Sequence, residues 1–554
     1  MKIQLKKSIK DTWEEIDVPS GTTIEELYKK YEKQLPYTVL AAKVDNKIED
    51  LLFRIKEKCN IEFLDMRTQS ANLIYQYSLS LIYLKAAKDV LGNVQIDIQN
   101  SLNKGLYTEI KSIYPLTDKQ IKNIEKEMKV IIGKNIPFVK EIVSKEEALD
   151  ILINDGMREK TRLLNESLKI QKVKFYSLEG CRNFFYGYMV PSTGYIKHFE
   201  LKRYRRGVLL RFPHPSNPNV MPPFIDEIKM YQAFGEQTKW DKLLGINYVA
   251  DLNEKIETGE YKEVIQLSEA LHEKKIAKIA DMIKKEHKRI ILIAGPSSSG
   301  KTTFARRLCI QLKVNGLNPL YMGTDDYFRE REMTPVDENG EKDFENLSSL
   351  DIDLFNSNMN DLLAGKTVDL PTFDFMTGHK EFGKRITSIS GSQPIVIEGI
   401  HGLNEKLTEQ IPQKEKFKIY ISPLTQLNID NHNRIPTTDE RMLRRMVRDN
   451  LYRGHNAQST IKEWPKVRAG EDKNIFPYSG EADVLFNSAH IYEISVLKKY
   501  AEPLLKQIHH DEEEYAEAVR MLKFLRFFRT IEDDSIIVNN SILREFIGGS
   551  IFVD

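Results

Sequence analysis

The chain has only three cysteines among 554 residues, Cys59, Cys181 and Cys309, far apart and odd in number. That excludes a disulfide framework and a CxxC zinc site, and it suits a reducing compartment. Long apolar runs are missing as well: none approaches the roughly 20 residues that span a bilayer. The opening stretch "MKIQLKKSIKDTWEEIDVPSG" has no apolar segment of the kind a signal peptide carries. These features lead us to expect a cytoplasmic location and no membrane partner. Neither sign of charge dominates, with 82 Lys and Arg against 81 Asp and Glu, so any pull toward nucleic acid must be local. Internal repeats and low-complexity tracts are absent. What remains, 41% hydrophobic and 29% charged residues, is the composition of a soluble globular protein. Its length calls for three or four domains.

Residues 1–66 read as a small β-rich module. Ile3 and Leu5 alternate with lysines, Ile16 and Val18 with acids, and "TIEE" from Thr23 has capping-box spacing. "TVLAAKVDNKIED" reads as strand, turn, strand, and "CNIEFLD" as a last strand, which is the order of a ubiquitin-like β-grasp fold. Residues 67–250 are mixed α+β. Helices are expected over "ANLIYQYSLSLIYLKAAKDVLG", "KQIKNIEKEMKVIIGK" and "KEEALDILINDGMREKTRLLNESL", and strands over "VKFYSLEG", "FFYGYMV" and "YIKHFELKRY". "FPHPSNPNVMPPF" is too rich in proline for regular structure. Residues 251–288 read as a linker helix, with Ile276, Ile279, Ala280 and Ile283 on one face. From 289 to 490 strands alternate with helices, the pattern of a parallel sheet covered by helices. Residues 491–554 read as a helical extension.

"GPSSSGKTT" follows the apolar run "RIILIA" and fits GxxxxGK[ST], with a helix and then the strand "PLYMG" behind it. Backbone N–H groups of Gly295, Ser297, Ser298, Ser299 and Gly300 can approach phosphates, and the helix N-terminus adds partial positive charge. Lys301 would sit on the β- and γ-phosphates, Thr302 on Mg²⁺, and Thr303 completes the nucleotide-binding run. A chance Gly/Ser turn explains the strand, turn and helix order less well, so the stretch is assigned to an NTP.

An Asn-Lys-x-Asp base-reading motif is absent after the late strands. Instead "GTDDYF" sets Asp325 and Asp326 at a strand's carboxyl end, where open α/β sheets bind ligands. A carboxylate there suits accepting an acceptor hydroxyl's proton; it equally suits a helix cap or a solvated loop. Glu398 in "QPIVIEGIHGLN" stands in the Walker B position, where it would hold Mg²⁺ through the ion's own ligands, or is a plain strand-end acid. In "DERMLRRMVRDNLYRG", Arg441, Arg444, Arg445 and Arg448 share one helix face, with Leu443, Met446, Val447 and Leu451 opposite. That face suits clamping triphosphate charge, a solvated surface, or RNA.

In order, "GPSSSGKTT", "TDDYF", "PTFDFMTGHK", "IVIEGIHGLN" and "DERMLRRMVRDNLYRG" resemble the uridine kinase and phosphoribulokinase family over roughly residues 289 to 490. The resemblance implies an ATP- and Mg²⁺-dependent kinase whose acceptor is a nucleoside or related sugar. It makes Asp325 the base that activates the acceptor hydroxyl, with Lys301 and Arg448 stabilising transferred charge. Arg445, Arg448 and Arg453 match lid arginines that bind ATP and the moving phosphate, and Glu345 matches an acid that holds the ribose. Apart from the resemblance, Thr302 with Glu398 is expected to hold Mg²⁺. In the acceptor pocket the chain departs from the family. Phe373 stands for a tyrosine, His379 is displaced by one position, His455 replaces an arginine and Glu463 a glutamine.

Residues 1–66 resemble a TGS domain, and 67–250 the second additional domain of threonyl-tRNA synthetases, through "YSLSLIYLKAAKDVLG" and "GYMVPSTGYI". Where that domain has an HxxxH pair and a later Cys and His, this chain has Tyr77, Leu81, Phe185 and Met189, so neither editing chemistry nor a metal site is expected. Binding or scaffolding remains. "KRYRRGVLLRF" clusters Lys202, Arg203, Arg205, Arg206 and Arg211, which suits RNA contact or a solvated edge strand. Self-association into a homo-oligomer is left open. The expected fold class is α/β multidomain: a P-loop parallel-sheet kinase domain preceded by the β-grasp module and the α+β synthetase-like region. The alternative function is an RNA-associated P-loop ATPase.

Overall fold

Thr23 and Glu26 exchange side-chain and backbone hydrogen bonds, and this capping box starts the helix Ile24–Tyr31. Asp45 and Asn46, at φ 42° and 60°, turn the strand Val39–Val44 into Lys47–Glu49. These elements belong to a five-stranded sheet in which Lys2–Lys6 pairs in parallel with Asn60–Asp65, the β-grasp arrangement. The computed structural model describes residues 1–167, 170–336, 340, 342–425 and 427–553. No helix among them is long and apolar enough to cross a membrane.

The second region is built on the helix Gln69–Leu91, apolar nearly all round and buried accordingly. A four-stranded and a three-stranded sheet pack on it. Sequence patterning missed the hairpin Gln95–Leu102 and Gly105–Lys111, whose turn is Asn103–Lys104, both at φ 54°. The helix expected up to Leu168 is broken at Gly156, φ 68°, into Lys145–Asn154 and Arg158–Glu166, and Leu168 itself lies outside the described residues. "FFYGYMV" is not a strand beyond Phe184. There Tyr77 packs on Phe185, ring centroids 5.5 Å apart, and its ring comes within 2.6 Å of where a Cβ at Gly187 would stand. Tyr77, Leu81, Phe185 and Met189 thus join one apolar cluster where the synthetase pattern has ligands.

Residues 251–288 hold most of one helix and the whole of another, Val249–Thr258 and Tyr261–Lys285, separated at Gly259, φ 82°. Ile276, Ile279, Ala280 and Ile283 share a core with Phe304, Ala305 and Leu308 of the helix Lys301–Val314, so this segment is part of the core of the region that follows it rather than a linker. The sheet there is five-stranded and all parallel, in the order Leu320–Gly323, Ile395–Glu398, Ile290–Ala294, Lys416–Ser422, Val484–Asn487. The extension is helical over Glu493–Leu505 and Tyr515–Leu525, but residues 529–543 run in turns rather than helix.

The two halves interlock. Between the strand Lys416–Ser422 and the arginine-rich helix Thr437–Arg453, a loop enters the front half. Ile98 donates its N–H to the Asn431 carbonyl at 2.8 Å, and Asn428 Nδ2 donates to the Ile98 carbonyl at 3.2 Å. At its tip Asp430 pairs with Lys160 at 2.6 Å, both fully buried. It also accepts from Tyr186 Oη at 3.1 Å and from the backbone of His432 and Asn433. Burial alone would raise the Asp430 pKa; Lys160 beside it holds it below the ordinary carboxylate range.

Candidate functional site

The glycine positions of the phosphate loop are set by close approach. A Cβ on Gly295 would stand 2.0 Å from the Ile421 carbonyl oxygen of the neighbouring strand, and Gly300 sits at φ 81°, left-handed, just before the helix. Ser298 is left-handed too, at φ 58°. The Ser298 and Ser299 hydroxyls are buried and have no hydrogen-bond partner among the described residues. Lys301 Nζ folds back onto the Gly295 and Pro296 carbonyls at 3.1 and 3.2 Å. Burial pushes its pKa down, against the pull of Glu398, Glu545 and Asp325. Thr303 donates its N–H and its hydroxyl to Glu545, in the C-terminal extension.

Glu398, at the end of the strand Ile395–Glu398, accepts from Thr302 Oγ1 at 2.7 Å and from Tyr321 Oη at 2.9 Å. Arg306 lies 3.8 Å over the Tyr321 ring. Asp325, at the end of the next strand, is open to solvent on one side but crowded by the cleft walls. That crowding first, and the charge of Glu398 second, raise its pKa to about 6, against Lys301. Its neighbour Asp326 is instead paired with Arg385 at 2.6 Å.

The arginine helix does not present one free guanidinium face. Arg441 and Arg444 are buried and hold structure. Arg441 pairs with Glu471 and donates to the Ser297 carbonyl at 3.1 Å. Arg444 makes two 2.6 Å bonds to Glu493 and reaches the Ser298 carbonyl at 3.3 Å. Both therefore clamp the phosphate loop itself. Arg445 donates to Ser297 Oγ at 3.0 Å and pairs with Glu463 at 3.3 Å. Arg445, Arg448 and Arg453 all converge on Asp449, at 3.3, 2.7 and 3.5 Å. Leu451, expected on the apolar face, is exposed.

Glu345 turns toward the helix Ala457–Asn474, its carboxylate lying over Gly470, so a larger residue there would have to push the Glu345 carboxylate aside. Burial first, then Glu471, lift its pKa to about 7, against Arg445. Phe373 is buried edge-on against Phe328 and Phe375. His379 is exposed on the adjoining hairpin and bound to Glu330 at 2.7 Å. His455 is exposed just past the helix cap Gly454. Phe373 and His379 thus sit on the hairpin, while Glu345 lies within reach of the charge of Arg445, which is bonded to Ser297 of the phosphate loop.

Sequence reasoning passed over His401. Its ring is 2% exposed; neither nitrogen completes a well-formed hydrogen bond among the described residues, although the Glu345 backbone and the Asp343 carboxylate lie close enough to favour the protonated ring. Burial lowers its pKa to about 4. A depressed histidine pKa gives stability that is present above about pH 6.5 and is lost as pH falls toward 4. Removing two poorly partnered buried polar atoms should therefore help the fold. His401→Leu is expected to leave stability at pH 7 unchanged or raise it by about 1 kcal/mol, and to flatten its fall between pH 7 and pH 4. Urea unfolding at several pH values checks this.

Other partners were also unreadable in advance. Glu471, Glu493 and Glu545 come from distant segments with no motif, whereas Asp449 was visible four residues from both Arg445 and Arg453. On the front half, the basic strand is largely neutralised. Arg211 is buried on Glu200, Arg205 meets Asp226 at 2.7 Å, and Arg203 meets Asp118 at 3.7 Å.

Residues 290–495 match the model of the Phosphoribulokinase / Uridine kinase family. The front half matches threonine–tRNA ligases. One, from Desulforamulus reducens, is 29% identical over 181 residues, 33% of this chain and 28% of that protein. Another, from Bacillus velezensis, is 29% identical over 185 residues, 33% of this chain and 29% of that protein. The chain thus spans under a third of the length of these relatives. Among solved structures, a possible uridine kinase from Bacillus stearothermophilus is 21% identical, covering 37% of this chain and 96% of its own, with a TM-score of 0.26.

Proposed function

With residues 290–495 a phosphoribulokinase/uridine kinase-type domain, we propose that this chain transfers the γ-phosphoryl group of ATP to a hydroxyl of a nucleoside or related sugar. One observation carries the reading. The phosphate loop, with its unpartnered Ser298 and Ser299 hydroxyls, the Thr302–Glu398 pair and the raised-pKa carboxylate of Asp325 converge at the carboxyl ends of neighbouring parallel strands.

The donor set fits a nucleotide with its Mg²⁺. The loop offers hydroxyls and amides without side chains in the way, and one hydroxyl plus one carboxylate suits a cation that keeps several waters and phosphate oxygens. Bound Mg²⁺·ATP supplies the phosphoryl group and neutralises charge on it. Thr302 and Glu398 would hold the cation. Lys301, freed from the Gly295 and Pro296 carbonyls, would reach the β- and γ-phosphates. Asp325 takes the acceptor hydroxyl's proton, and a pKa near 6 leaves it ionised and basic enough at neutral pH. Arg445, Arg448 and Arg453, held together by Asp449, offset charge on the transferred group. Glu345 is the candidate for the acceptor's sugar hydroxyls. Phe373 brings no hydroxyl to the pocket and His455 no guanidinium, so uridine is one acceptor among several rather than the default.

The test is ATP consumption with Mg²⁺ against a panel of nucleosides and sugar alcohols, each product weighed for one added phosphoryl group. A phosphorylated nucleoside or sugar is expected. Turnover that appears only with RNA, and yields no phosphorylated acceptor, would replace this reading with an RNA-associated ATPase that uses the synthetase-like half.

A further inference from the structure

The family match ends at residue 495, yet a segment beyond it reaches the phosphate loop. The short helix Arg544–Ile547 sets Glu545, 7% exposed, against the first turn of the helix Lys301–Val314. One oxygen, Glu545 Oε2, accepts from the Thr303 backbone N–H at 3.2 Å and from the Thr303 hydroxyl at 2.7 Å. Beside it the Ile542 Cγ2 methyl lies 2.4 Å from where a Cβ at Gly300 would be. On the other side Phe546 lies 4.8 Å under the Arg444 guanidinium, and Gly548 abuts Leu451. The segment is wedged between the phosphate loop and the arginine helix.

First-turn amides behind a glycine-rich loop are the donors a nucleotide's phosphates use. A carboxylate on them makes the same charge-assisted bonds, and one N–H cannot serve two anions well. Meanwhile the Ser298 and Ser299 hydroxyls, buried and unpartnered among the described residues, mark where the loop still lacks acceptor oxygens. We propose that Glu545 is a resident stand-in for a nucleotide phosphate, and that the nucleotide enters by displacing the C-terminal segment from Thr303. This rests on the nucleotide-site reading above and adds an autoinhibitory contact to it, supplied from outside the family domain.

Calorimetric titration of the full chain with Mg²⁺·ATP tests it. Glu545→Gln keeps the size and a carbonyl acceptor for Thr303 but removes the charge. It is expected to bind Mg²⁺·ATP about 10-fold tighter. In the unaltered protein, hydrogen exchange over residues 541–547 should quicken when Mg²⁺·ATP saturates the site. Equal or weaker binding by a folded Glu545→Gln protein, or exchange that is unchanged or slower, would overturn the proposal. If Glu545→Gln does not fold, the exchange measurement decides alone. A folded wild-type chain that binds no Mg²⁺·ATP would instead reject the nucleotide site, and this contact's role with it.

Discussion

Asp325→Asn is expected to lower phosphoryl transfer by about 10²–10⁴-fold while leaving Mg²⁺·ATP affinity within a few-fold of wild type. The asparagine keeps the shape and loses the proton acceptor. Single-turnover assays with an accepted sugar, alongside direct nucleotide titration, separate the two effects. An unchanged kcat would remove Asp325 from the base role. The pH profile gives a second handle: with Asp325 at about 6, kcat/KM should fall as pH drops through 6, and that limb should vanish in the variant. The stability sign is opposite to that of a salt-bridged acid. Because the folded pKa is raised above the unfolded one, the native state holds the extra proton, so Asp325 erodes stability as pH rises from about 4 to about 6. Asp325→Asn should therefore not lower the Tm at pH 7.

The second large effect is on folding. Lys160→Met leaves Asp430 charged and buried between the halves, and it is expected to cost about 3–5 kcal/mol in urea unfolding. Lys160 and Asp430 lie 2.6 Å apart with side chains 1% and 0% exposed, so water cannot take over for the missing partner. Pairing the change with Asp430→Asn should recover most of the loss, since the amide stays bonded to Tyr186 and no charge is stranded. If the single variant costs under 1 kcal/mol, the pair is not desolvated as described. Kinase activity is the secondary readout, because Asp430 lies on the loop that leads into the arginine helix.

Local chemistry was legible in the sequence wherever neighbours along the chain do the work. The Thr23 capping box, the Asp45–Asn46 turn, the phosphate loop and the alternation behind the parallel sheet all depend on contacts a few residues apart. Long-range pairing was not. Four arginines at helical spacing look alike in sequence, but Glu471 and Glu493, supplied from distant segments, divide them into two buried clamps and two that stay near the cleft. The tyrosine at position 77 could be seen to lack an imidazole; that its ring fills the space over Gly187 could not. His401 lay inside a quoted motif but went unassigned, because its poorly partnered state is a property of the packing.

The helices between the halves have a further consequence. Val249–Thr258 and Tyr261–Lys285 share one apolar cluster with the phosphate-loop helix, the sheet and the C-terminal helices, while the Asp430 loop is anchored in the opposite half. Among the described residues the stretch around 250 is therefore no thin linker, because the helices on both sides of it are built into one core. Cutting the chain near residue 250 should yield two unstable fragments rather than a working phosphate-loop unit and a free binding module, which thermal melts of the fragments would check.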